Sequence, residues 1–142
     1  MATIGIAGVG GLGSAVAIAL ARTGVGHLII ADFDIVEPSN LNRQQYFMDQ
    51  IGLPKVYALR DTLGRINPSV RVTACHLRLN PSNIDDVFGH AQVLVEAQQH
   101  DADAALAVNV GEHHLAKDAA AHVTARVDDD HVSWLGVIEH VA

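Results

Sequence analysis

Gly8-Val9-Gly10-Gly11-Leu12-Gly13 fits the spacing G-x-G-x-x-G, and it lies between an apolar run, Thr3–Ala7, and a segment of helical character that begins at Gly11. This hexapeptide restricts the chain more than any other feature. Gly8 permits a tight turn, Gly10 lets backbone approach a phosphate, and Gly13 lets the helix sit close against the strand. The N–H groups at the helix start then face an anion. Asp32 follows 24 residues after Gly8 and closes the next apolar run, His27–Ala31. A carboxylate placed there can accept hydrogen bonds from ribose hydroxyls. Strand, helix and acid in register describe a βαβ unit built around a nucleotide. The loop alone does not choose among NAD, FAD and ATP.

The remaining pattern extends that unit. Residues Gly11 to Thr23 carry Leu12, Val16, Ile18 and Leu20 among small alanines, and Gly24 and Gly26 punctuate the end of the helix. Phe33–Asp49 reads as a long polar loop. Pro54 opens a second helix, with Val56, Leu59, Leu63 and Ile66 along one face and Asn67-Pro68 at its end. A strand is expected over Val70–Leu79, a short helix after Asn80-Pro81 through Phe88, and a strand over Ala91–Glu96. Beyond these, the pattern predicts a helix over Ala102–Ala121 and strands over Val123–Val127 and Val132–Ile138. Unbroken apolar runs alternating with helices imply an α/β fold with a mainly parallel, Rossmann-like sheet and helices on both faces.

Composition excludes several function classes. The net charge of −7 opposes a nucleic-acid groove, which needs a positive field. One cysteine rules out an internal disulfide and a four-cysteine zinc site. No apolar run is long enough to span a membrane, and no basic leader precedes the first strand, so a cytoplasmic protein is expected. The charge is unevenly spread. Residues 1–80 hold 7 Lys/Arg and 5 Asp/Glu, a net of +2, whereas residues 81–142 hold 2 and 11, a net of −9. Two parts follow: 1–97, the nucleotide-binding domain, and 98–142, a continuation of different character.

The loop after Asp32 narrows the choice of nucleotide. Asn40 can donate and accept toward ribose or phosphate, and Arg43 offers a planar fork suited to phosphate oxygens. Lys55, at the start of the second helix, can bring an ammonium to the same place. Two cations and a helix N-terminus converging on a triphosphate suit chemistry at phosphorus. A solvated surface loop is the plain alternative, since most Arg and Lys residues are exposed.

Taken together, Gly8-x-Gly10-Gly11-Leu12-Gly13-Ser14, Thr23-Gly24-Val25-Gly26, Asp32-x-Asp34-x-Val36, Ser39-Asn40-Leu41-Asn42-Arg43-Gln44, Gly52-x-Pro54-Lys55-Val56 and Ile66-Asn67-Pro68 resemble the ThiF/MoeB-type adenylyltransferases, bacterial relatives of the ubiquitin-activating enzymes. The resemblance covers about residues 3–97 and is closest to the compact ThiF proteins of thiamine biosynthesis. It implies binding of ATP and Mg²⁺, and adenylylation of the C-terminal glycine of a small ubiquitin-like sulfur-carrier protein. It also implies a homodimer. By matching position, Gly11 contacts ATP through its backbone, Asp32 holds the ribose, and Ser39, Asn40, Leu41, Asn42 and Arg43 line the nucleotide. Arg43 and Lys55 are the catalytic candidates, and Asp34 joins the polar network around them.

The chain also departs from that family. Gln99 stands where the family has a magnesium-binding Asp, and a neutral amide is a poor ligand for a hard cation. Glu96 lies nearby. Past residue 97 no motif matches, as expected for a truncated or frame-shifted continuation. Two other readings therefore stand beside the enzyme: a nucleotide-binding module of the same family without turnover, and an NAD-dependent Rossmann enzyme. Cys75 reads as a buried or edge-strand thiol, with Thr73 and Leu77 on its face. His113-His114 cannot chelate one metal from adjacent helical positions. Asp128-Asp129-Asp130 reads as a solvated turn, and Trp134 as a packing residue.

Overall fold

The computed structural model describes residues 2–97 in full, and the backbone of residues 99–100, 103–110, 121–128 and 131–139. The first part runs β1 (Thr3–Ala7), α1 (Gly11–Thr23), β2 (His27–Asp32), α2 (Lys55–Ile66), β3 (Arg71–His76), α3 (Ile84–Phe88) and β4 (Val93–Glu96). These strands lie in the order β3-β2-β1-β4, all parallel. The register aligns Ile6 with Ile30 on one side and with Val95 on the other.

Period-two alternation along the strands feeds two separate cores. Ile6, Leu28, Ile30 and Val95 pack with Ala17 and Ala21 of α1 and with Val56, Leu59 and Leu63 of α2. Their neighbours Ala7, Ile29 and Ala31 point to the opposite face, where Phe88, Ile84 and Val87 of the α3 segment meet them. The sheet is therefore covered on both sides, which is why β1 and β2 carry so few polar residues. The α/β, Rossmann-like expectation holds over this part of the chain.

The helix ends follow local chemistry. Gly24 takes φ +81° at the C-terminus of α1, and its N–H donates to the Ala21 carbonyl. The Asn80 carboxamide accepts from the N–H groups of Ser82 and Asn83 and turns the chain into α3. The polar segment Phe33–Asp49 contains one 3₁₀ turn, Pro38–Asn40, and runs into a second, Met48–Gln50.

The last part corrects one expectation. Residues 103–110, expected in a helix over Ala102–Ala121, instead form strand β6 (Asp103–Val110). It pairs antiparallel with β4, Val93 opposite Val110. Alanine favours a helix, but the alternation of Ala104, Leu106, Val108 and Val110 also suits a strand, and pairing satisfies the backbone groups along the β4 edge. β5 (Gln99–His100) pairs with β6. β7 (Ala121–Asp128) and β8 (His131–Glu139) continue the sheet antiparallel, spanning both strands expected there. Residues 111–120, with His113 and His114, and Asp129-Asp130 lie outside the described residues. The side chains of Gln99 and Trp134 do so too.

Candidate functional site

One cavity of about 630 Å³ opens at the carboxyl ends of β1, β2 and β3. Ligands bind in this position in open α/β sheets, where the connections from neighbouring strands leave in opposite directions. The volume lies within the range of small-molecule sites.

The glycine loop forms its floor. Gly8 takes φ +87°, a turn that L side chains disfavour, and its N–H donates to the Ala31 carbonyl. A Cβ on Gly13 would lie 1.8 Å from the Gly8 carbonyl oxygen, so α1 sits against the turn with no room for a side chain. Gly10 and Gly11 line the cavity, and a Cβ on either would meet nothing closer than 3.6 Å. Space and not packing surrounds them on that side. The N–H groups of Gly10, Gly11 and Leu12 make no hydrogen bond among the described residues. They are the orphan donors that every helix start presents, and here they border the cavity.

Asp32 sits at the end of β2. Its Oδ2 accepts from the Val9 N–H at 2.9 Å, and its Oδ1 accepts from the Asp34 N–H at 2.8 Å. A carboxylate has about four lone-pair sites, so two remain for ribose hydroxyls. Lys55, at the first position of α2, is buried, and its Nζ lies 3.4 Å from Asp34 Oδ2. Its backbone N–H donates to the Asp34 carbonyl, which ties the start of α2 to the acidic loop. Arg43 is exposed at the rim, its Nη1 donating to the Ser39 carbonyl at 2.8 Å and to Asn42 Oδ1 at 3.2 Å.

The structure thus brings together Gly8, Gly10, Gly11, Asp32, Asp34, Asn40, Arg43 and Lys55 from the residues singled out in the sequence. Gly13, Ser39, Leu41 and Asn42 do not line the cavity. Gly13 serves the helix–turn contact, while Ser39 and Asn42 hold the Arg43 guanidinium. Asn40 is buried and lines the cavity, with its Oδ1 taken by the Glu37 N–H. Cys75 lies half-buried on edge strand β3, where burial pushes its thiol pKa up.

Other cavity residues were given no role by the sequence, although Gln44 closes the motif that begins at Ser39. Gln44 is 6% exposed and its Oε1 is buried without a hydrogen-bond partner. Leu77, Arg78 and Leu79 form the far wall, and the Arg78 guanidinium lies 4.0 Å above the centre of the Phe33 ring. Their position just past β3 was the available signal, because the strand carboxyl ends form the crevice.

A nucleotide fits these residues: anion donors at the loop, the cations Arg43, Lys55 and Arg78, a carboxylate with acceptor sites to spare, and the apolar side chains of Leu77 and Leu79. Among the described residues, no three His, Cys, Asp or Glu side chains come together as a metal site.

The family profile "ThiF family" matches residues 1–119. The chain belongs to the ThiF family. The match runs on past Ala97, where the sequence motifs end. Among curated proteins, this ThiF-family chain is 45% identical over 86 residues to ubiquitin-like modifier-activating enzyme 5 of Caenorhabditis briggsae, covering 61% of the chain and 20% of that protein. It is 44% identical over 91 residues to the molybdopterin-synthase adenylyltransferase of Salmonella typhimurium, covering 63% of the chain and 36% of that protein. Among solved structures, the E. coli tRNA N6-threonylcarbamoyladenosine dehydratase in complex with ATP superposes with a TM-score of 0.67 at 35% identity, covering 70% of this chain and 42% of that one. The chain therefore spans between a fifth and just over a third of these two curated relatives. Among the described residues, no helix is long and apolar enough to cross a membrane.

Proposed function

We propose that this ThiF-family chain binds ATP and adenylylates the C-terminal glycine carboxylate of a small ubiquitin-like sulfur-carrier protein. One observation carries the reading: Arg43, Lys55 and the open N-terminus of α1 border the same cavity as Asp32. Two cations beside the glycine loop suit a triphosphate, which carries more negative charge than the pyrophosphate of NAD. The relatives named as adenylyltransferase and modifier-activating enzyme, and the ATP complex of the E. coli dehydratase, support the same nucleotide.

In this reading a carboxylate oxygen of the carrier attacks the α-phosphorus, and the bond from that phosphorus to the bridging oxygen of the β-phosphate breaks. Pyrophosphate leaves, and an acyl-adenylate forms. Negative charge moves toward the leaving pyrophosphate. Arg43 offers a fork of donors and Lys55 a point charge to meet it, and the Gly10 and Gly11 N–H groups hold the phosphate chain. Mg²⁺ would be held chiefly by the ATP phosphates, since no three acidic side chains converge among the described residues, and it would neutralise their charge. Thiamine biosynthesis is the proposed setting, with a ThiS-like carrier as substrate, a homodimer as the working form and the cytoplasm as the compartment.

Carrier-dependent exchange of labelled pyrophosphate into ATP tests the activity. A melting point raised by ATP but not by NAD supports the nucleotide, because a ligand of the native state stabilises it by mass action. ATP binding without exchange for any sulfur carrier would leave a nucleotide-binding module. A response to NAD alone would favour a dehydrogenase.

A further inference from the structure

Two peptide groups of the glycine loop are held from behind by the same short segment, Gln45-Tyr46. The Tyr46 hydroxyl donates to the Val9 carbonyl at 2.6 Å, across 37 residues of sequence. The Ser14 hydroxyl donates to the Gly10 carbonyl, and its oxygen accepts from the Gln45 N–H at 3.3 Å. A trans peptide is planar, with its C=O and N–H pointing in opposite directions. Holding the Val9 carbonyl therefore aims the Gly10 N–H, and holding the Gly10 carbonyl aims the Gly11 N–H. Both glycines line the cavity.

From this geometry we infer that Tyr46 is a positioning residue: its hydroxyl orients the anion-binding N–H groups of the glycine loop and ties that loop to the segment carrying Arg43. The inference rests on the proposed ATP site and names a residue that acts there without touching the nucleotide. Tyr46 is 5% exposed and sits in the main core with Val9 and Val36. A phenylalanine would serve that packing equally, so the hydroxyl is the informative group. Only two residues separate Tyr46 from Arg43, so the phosphate donors and the guanidinium share one support. Burial, with the negative charges of Asp32 and Asp34, drives the Tyr46 pKa upward, and the hydroxyl stays a donor at any working pH. The same carboxylate of Asp32 holds the Val9 N–H from the other side. The Gly8–Val9 and Val9–Gly10 peptides are thus both fixed.

The test compares ATP with adenosine, which shares the base and ribose and lacks the phosphates. Dissociation constants are measured by calorimetry on the full chain and on Tyr46→Phe. The expected result is ATP binding weakened about fivefold, the scale of one neutral hydrogen bond, with adenosine binding unchanged. An equal loss for both ligands would mean a general structural role and overturns the inference, as does unchanged ATP binding. If Tyr46→Phe shows no cooperative melt, Ser14→Ala carries the test: it removes the hydroxyl's hold on the Gly10 carbonyl and leaves only the residue-14 N–H bond at 3.1 Å, so the loss should again be selective for ATP but smaller. Wild-type protein that binds neither ligand would bring down the proposed function and this inference together. Wild-type protein that binds ATP, with Tyr46→Phe binding it equally well, would bring down the inference alone.

Discussion

The Lys55 side chain is 6% exposed and its Nζ lies 3.4 Å from Asp34 Oδ2, whereas the Asp34 side chain is 50% exposed. The pair is lopsided: a buried cation depends on a carboxylate that water reaches. Removing either partner therefore has different consequences. Asp34→Asn leaves a buried charge without its counter-charge and should lower stability by about 1–3 kcal/mol, less than for a fully buried pair. ATP phosphates would restore the missing negative charge. The melting-point rise on adding ATP should thus be larger in Asp34→Asn than in wild type. Lys55→Met leaves only a solvated carboxylate behind and should melt within a few degrees of wild type, while pyrophosphate exchange falls by at least ~100-fold. Differential scanning fluorimetry and the exchange assay check both.

Asp32 has two tasks. Its oxygens accept from the Val9 and Asp34 N–H groups. An Asn in its place can accept through one oxygen only, and its NH₂ would then face a backbone N–H donor. Asp32→Asn is expected to cost about 1–3 kcal/mol of stability from the unpaired donor, and to weaken ATP binding as well. Asp32→Ala should be similar in stability, because it also orphans these N–H groups. Urea unfolding and calorimetric titration with ATP measure the two effects separately. Equal stability of Asp32→Asn and wild type would count against the hydrogen-bonding role.

The site residues that the sequence made legible share one property: each is tied to its place by local order. Gly8, Gly10 and Asp32 occupy fixed positions in a βαβ unit, so their spacing alone brings them together. Lys55 is placed by the helix start after Pro54. Tyr46 was not legible, because its role depends on how a polar loop folds back across α1. The Tyr46–Val9 contact joins residues 37 apart with no periodic pattern between them. Ser39 and Asn42 lie within the recognised motif but hold the Arg43 guanidinium, a division of labour that spacing cannot reveal. In the last part, alanine propensity pointed to a helix at residues 103–110, and pairing with β4 made a strand. Local preference yields there to backbone pairing between distant segments.

His27 predicts a pH dependence that is separate from catalysis. It sits at the opposite end of β2 from the cavity, its Nε2 2.8 Å from Thr73 Oγ1 and its Nδ1 accepting from the Arg71 guanidinium at 3.1 Å. Burial and then the Arg71 charge lower its pKa below the ordinary 6.5. The unfolded chain therefore binds a proton at a higher pH than the folded one. Stability from the neutral ring is intact above pH 6.5 and declines as pH falls below it toward the folded-state pKa. The melting point of wild type should drop between pH 7 and pH 5. In His27→Gln the drop should be smaller, and melting curves at the two pH values decide it. A parallel drop in both proteins would show that other groups set the acid response.

Gly13 and Gly24 offer a contrast between two costs of adding one methyl group. At Gly24 the backbone is left-handed, φ +81°, but the space beside it is open. Gly24→Ala should cost about 1–2 kcal/mol of backbone strain, and the protein should still fold and bind ATP. At Gly13 a Cβ would fall 1.8 Å from the Gly8 carbonyl oxygen and 2.9 Å from its carbon, both backbone atoms that cannot rotate aside. The helix must then move away from the turn, which displaces the Gly10 and Gly11 N–H groups from the cavity floor. Overpacking of this kind costs roughly 1–3 kcal/mol and often more where nothing can yield. Gly13→Ala should therefore lose ATP binding even where it still melts cooperatively, unlike Gly24→Ala. Fluorimetry with and without ATP on the two variants separates strain at a turn from collision at the site.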